Sequence, residues 1–210
     1  MRALRITPLR LAAGIAVGSL SFAGVGYAAS LGLSSKSLHA WTQSLTKGSC
    51  NPPTVLDTYV SQATPNTNVG NPPPVLLVSG ASGAQDYTFI RFDLSSCSLP
   101  TTAGADTATL TLTVTAAGHD KISLFPVTSS WSPTTLTWNG LAGLSVGSTA
   151  TATQPVNSAK SFSFTVTGDV DAAIKAGTLW GWEIQDTSGT ATTVISSTAN
   201  PPSLSINYEK

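Results

Sequence analysis

Carboxylates, imidazoles and thiols carry most protein chemistry, and this 210-residue chain is poor in all three. Its two glutamates are Glu183 and Glu209. Glycoside hydrolysis uses a pair of carboxylates flanking the scissile bond, and no such pair is recognisable among the acids. The two histidines are His39, in an N-terminal stretch, and His119, in a turn. No Gly-x-Ser-x-Gly elbow accompanies the many serines. No His/Cys cluster has zinc spacing, and no Gly-rich loop fits a phosphate. The sequence reads as non-catalytic, with a small secreted hydrolase as the remotest alternative.

The residue types that remain suit binding. Sugars are held by flat aromatic rings, with polar groups fixing orientation. Trp131, Trp138, Trp180, Trp182, Tyr59 and Tyr87 are the aromatics in question. Trp182 shares a strand face with Ile184 and reads as core, with Trp180 on that same face; packing competes with recognition at Trp131 and Trp138 as well. Arg91 has a planar fork that matches a uronate carboxylate; an ion pair with an acid across the sheet is its plainer use. Arg91, Tyr87, Trp131 and Trp138 are therefore the carbohydrate-binding candidates. Calcium is a candidate ion, because Asp57, Asn66, Asn68 and Asp93 would supply oxygens if their strands pair. Ordinary turn chemistry is the competing use of the two asparagines.

Charge points the same way. Formal net charge is zero, and Arg2, Arg5 and Arg10 all fall in the first ten residues, leaving Arg91 as the only other arginine. Without those three the chain would be mildly acidic, which argues against nucleic acid. The three arginines, the apolar run 11–25 and the small residues around Ala28 predict a signal peptide over 1–28. An uncleaved leader, free of charge from 11 to 35, is the only route to a membrane. An exported protein with two cysteines, Cys50 and Cys97, is expected to join them.

The elements that must position these residues are strands. Residues 107–115 alternate Thr with Leu110, Leu112 and Val114, giving one apolar and one hydroxyl face. That pattern belongs to an antiparallel sheet packed on one side only. Similar runs occur at 55–61, 75–79, 88–94, 121–127, near 149–153, and at 160–167, 180–185, 192–196 and 203–208. Residues 168–176 read as a short helix, with Thr167 as cap, Asp169 and Asp171 at its start, Lys175 at its end and Gly177 beyond. The expected fold is all-β: a two-sheet antiparallel sandwich of jelly-roll type, spanning 54–210 and preceded by an extension over 29–53.

The order of several segments carries a resemblance. Asp57-Thr58-Tyr59-Val60, Pro65 to Gly70, Ile90-Arg91-Phe92-Asp93-Leu94, Thr137-Trp138-Asn139, Gly181-Trp182-Glu183-Ile184 and Pro202 to Tyr208 follow one another as in DNRLRE-type domains. These domains are similar to family 96 carbohydrate-binding modules. The resemblance implies an extracellular, non-catalytic β-sandwich that in some members binds polysaccharide, alginate among them. Two departures are visible. Gly140-Leu141 follows Asn139 where the family often has a second Asn, and Ile195 to Thr198 lacks an acid often found there. The leading expectation is a secreted or cell-surface module binding an extracellular or cell-wall polysaccharide. A structural surface protein, whose partner is another cell-surface protein, is the alternative.

Overall fold

The computed structural model describes residues 46–210 except 54, 119 and 190. The predicted leader, most of the extension with His39, and His119 lie outside the described residues. The strands, in chain order, are β1 (Lys47–Cys50), β2 (Val55–Ser61), β3 (Val75–Ser79), β4 (Asp86–Phe92), β5 (Gly104–Ala116) and β6 (Asp120–Pro126). They continue as β7 (Ala152–Val156), β8 (Ser161–Thr165), β9 (Trp182–Asp186), β10 (Thr192–Ser196) and β11 (Ser203–Glu209). Among the described residues a single α-helix, α1 (Thr167–Ala176), joins β8 to β9, and short 3-10 helices occupy Leu94–Cys97 and Asn139–Gly143.

All pairings among the described residues are antiparallel. One layer runs β1–β11–β5–β8, the other β2–β4–β9–β6–β7. Strand β5 is long enough to serve both. Its first part pairs with β11 and β8, and its last residues pair with β10, which leads through β3 to β4. The layers close over one core. Leu110, Leu112, Phe162, Phe164, Leu204 and Ile206 enter it from one side, and Ile90, Ile122, Leu124, Trp182 and Ile184 from the other. Alternation in β5 explains its composition. Ala108, Leu110, Leu112 and Val114 are buried, while Thr111 and Thr113 face Ser163 and Ser161 at 3.3 Å on the wet side. The fold is the expected all-β sandwich.

Several boundaries shift. Strand β1 lies inside the stretch assigned to the extension: Lys47 to Cys50 pair with Glu209 to Ile206. The strand expected at 149–153 forms at Ala152–Val156. The third predicted strand ends at Phe92 because Asp93 turns the chain: its carboxylate accepts the Ser95 N–H at 2.9 Å and caps the 3-10 helix. The cap of α1 also differs. Val166 holds the N-cap position without a side-chain bond, and the Thr167 hydroxyl instead accepts the Ala108 N–H at 2.9 Å, fastening the helix start to β5. Gly177 ends the helix at φ +72°, as its position predicts.

Cys50 and Cys97 form a disulfide, with Cα atoms 5.5 Å apart and a sequence separation of 47. It ties β1 to the 3-10 helix after β4. A loop of that length stabilises the fold by about 4 kcal/mol in the chain-entropy account. Thiol labelling of denatured, unreduced protein should therefore find no reactive cysteine; two labelled thiols would refute the bond.

Candidate carbohydrate site

Strand β4 has two very different faces. Thr88, Ile90 and Phe92 point into the main core, so Tyr87, Phe89 and Arg91 point outward. That outward face is not bare. The segment connecting β6 to β7 crosses it, and Trp131, Leu136, Val127 and Val60 bury Phe89 completely. A second, smaller apolar cluster thus lies on the outside of the sandwich.

Aromatic rings organise it along β4. Tyr87 meets Trp138 with centroids 4.9 Å apart, and both are half-buried. Phe89 meets Trp131 at 5.6 Å. The Arg91 guanidinium lies 5.7 Å from the Trp131 ring and 5.6 Å from the Trp180 ring, so two indoles flank it. Its Nη1 also points to the Trp131 carbonyl at 3.5 Å, the limit of a hydrogen bond. Among the described residues no carboxylate lies within ion-pairing distance of Arg91. The expected cross-sheet acid pair is replaced by cation–π contacts, each typically ~0.5–1 kcal/mol at an exposed site and more when desolvated. All four carbohydrate candidates, Arg91, Tyr87, Trp131 and Trp138, belong to this one cluster. Trp131 is only 7% exposed and donates its indole N–H to the Trp180 carbonyl at 2.7 Å, so it serves packing.

The four calcium candidates are engaged separately. Asn68 donates to the carbonyls of Pro133 at 3.0 Å and Leu136 at 2.7 Å, and Asn66 accepts from the Asn139 amide at 2.8 Å. These two asparagines staple the loop after β2 to the aromatic-bearing segment. Asp93 is exposed and caps the 3-10 helix; the Ser95 backbone N–H, then the Ser95 side chain, hold its carboxyl below the ordinary value. Asp57 is buried in the sandwich interior, where one oxygen accepts from Ser197 at 2.9 Å and the other has no partner.

Burial pushes the Asp57 carboxyl up to about 6, against the Ser197 hydrogen bond, which lowers it. Burial also raises Asp86 and Glu183. A raised folded-state value means that the folded protein holds a proton which the unfolded chain releases between about pH 4 and 6. Stability should fall as pH rises through that window, by up to about 3 kcal/mol from Asp57 alone. Melting temperatures of the wild type and Asp57→Asn across pH 4–7 check this. The variant should lose much of the slope, and parallel profiles would contradict the assignment.

Trp180 is the residue that sequence pattern misplaced. Alternation places it on one strand face with Trp182, yet β9 begins only at Trp182. Gly181, at φ +84°, turns the chain between them. Trp182 is fully buried, its indole N–H bound to Asp169 at 2.6 Å, while Trp180 is half-buried on the outer face. There it lines an open cleft of about 230 Å³ with Leu56, Arg91, Asp93, Gly177 and Thr178. That is below the ~300–1,000 Å³ of sites enclosing a drug-sized ligand. It suits one unit of a chain that continues past it.

The arrangement can stack a sugar ring, offer a fixed cation to an anion, and accept a hydroxyl at Asp93. Among curated proteins, no sequence matches this chain. The family model for carbohydrate-binding module family 96 matches residues 51–208, which takes in β2 to β10, all but the last residue of β11, α1 and every residue of the outer cluster. The chain belongs to carbohydrate-binding module family 96.

Proposed function

We propose that the domain is an exported, non-catalytic module that binds an extracellular or cell-wall polysaccharide, and that it grips an acidic chain at Arg91 beside Trp180. One observation carries this reading: a guanidinium flanked by two indoles at an open cleft, with no protein carboxylate within ion-pairing distance among the described residues. Flanking rings hold the fork in place, so less side-chain entropy is lost when a carboxylate arrives. Tyr87 and Trp138 give a second aromatic contact four residues along β4, about 13 Å away by strand rise. An extended polysaccharide reaches both. Export to a secreted or cell-surface location accords with the Cys50–Cys97 bond, since disulfides persist in oxidising compartments.

Affinity electrophoresis tests the reading. The domain is run through gels containing uronate-rich, neutral or cell-wall polysaccharide. Retardation by the acidic polymers is expected. Unchanged mobility in every gel would sink the proposal and favour a packing role at the cell surface.

A further inference from the structure

Resting on that polysaccharide reading, we infer that the cleft on the other side of Trp180 takes an O-acylated sugar unit, so that the module prefers an acidic chain bearing acetyl-type esters. This second cleft, about 320 Å³, adjoins the first: Thr178, Leu179 and Trp180 line both. A chain seated at Arg91 and passing over Trp180 would meet it next.

The two clefts differ in chemistry. The first presents Arg91 and Asp93. The second is walled by Pro126, Val127 and the exposed face of α1. An exposed helix position can carry a long polar side chain or a small helix former such as Ala. Here Ala172 and Ala176, four apart and so stacked on one face, leave that face open and apolar. The helix buries a different set, Val170, Ala173 and Ile174, so these two alanines are not needed for the core.

Charge decides the occupant. Among the described residues Asp169 is the sole ionisable group lining the second cleft. One of its oxygens already accepts from Trp182 and from Thr151, both at 2.6 Å. It therefore repels a carboxylate there and offers nothing to neutralise one. A neutral substituent with a methyl end fits the alanine wall, and the exposed Thr178 hydroxyl at the junction offers a donor to its carbonyl. Burying one methyl-sized group favours the esterified chain roughly fourfold.

The experiment compares an O-acetylated polyuronate with the same batch after mild alkaline deacetylation, which leaves the carboxylates. Affinity electrophoresis is run on the wild type and on Ala172→Gln, an exposed helix change expected to leave the melt unaltered while filling the cleft. The wild type should bind the acetylated form about fourfold or more tightly. Ala172→Gln should bind both forms equally, at the wild type's affinity for the deacetylated one. Equal wild-type affinity for the two forms overturns the inference and leaves the polysaccharide reading standing. A preference that survives in Ala172→Gln overturns the assignment of the ester to this cleft. Binding of neither form overturns the polysaccharide reading itself, and this inference with it.

Discussion

Replacing Gly181 with alanine is expected to destabilise the domain by more than about 4 kcal/mol, lowering the melting temperature by roughly 10 °C or more. Two effects add. The residue sits at φ +84°, where an L side chain is strained. A Cβ there would meet the Ile90 carbonyl oxygen at 1.9 Å and the Arg91 Cα at 2.9 Å. Those atoms are backbone of β4, at the centre of its layer between β2 and β9, and cannot swing aside. Gly83 supplies the control. Its φ is +80°, yet nothing lies within 4 Å of its added Cβ, so Gly83→Ala should cost only about 1–3 kcal/mol of backbone strain. Circular-dichroism melts of both variants separate the terms. If Gly181→Ala melts no lower than Gly83→Ala, the close approach of Gly181 to β4 is wrong.

That glycine also explains what the sequence could and could not disclose. Alternation in 107–115 and in 161–165 announces strands because each has one dry and one wet face. The same logic fails at Trp180-Gly181-Trp182, where regular alternation would keep both indoles together. A glycine at positive φ breaks the period, and one ring goes inside while the other goes out. A Gly within an apparent strand is the one warning in the sequence. The outer cluster was half legible. Tyr87 and Arg91 follow from the parity of β4, but Phe89 on that face becomes buried only because a distant segment, 127–147, folds over it. The asparagines show the same limit. Asn66 and Asn68 have the oxygens of a cation site, yet their partners are the carbonyls of Pro133 and Leu136 and the amide of Asn139, about 70 residues away. Composition gives the donor and acceptor types; only the tertiary fold gives their partners.

The second large effect is on binding. Arg91→Ala should weaken affinity for an acidic polysaccharide by roughly ten- to a hundredfold, because a hydrogen bond to a charged group contributes about 1.5–3 kcal/mol. Truncation also removes the packing between Trp131 and Trp180, so two companions are needed. Arg91→Met keeps most of the stem between the indoles and should lose binding almost as fully. Arg91→Lys keeps the charge but loses the planar fork, and should fall in between, near tenfold weaker. Titration calorimetry gives the affinities and a thermal melt confirms the fold. If Arg91→Met binds like the wild type, the guanidinium is only a packing element and the site lies elsewhere.

Changing the ligand instead of the protein tests directly whether Arg91 reads a carboxylate. A polyuronate is divided, and one half has its carboxylates reduced to hydroxymethyl groups. Both are titrated into the wild-type domain by calorimetry. Reduction should cost at least tenfold in affinity, with the native polymer's binding weakening as salt is added. Equal affinity for the two polymers would contradict it, because the cation between the two tryptophans would then have no part in recognition.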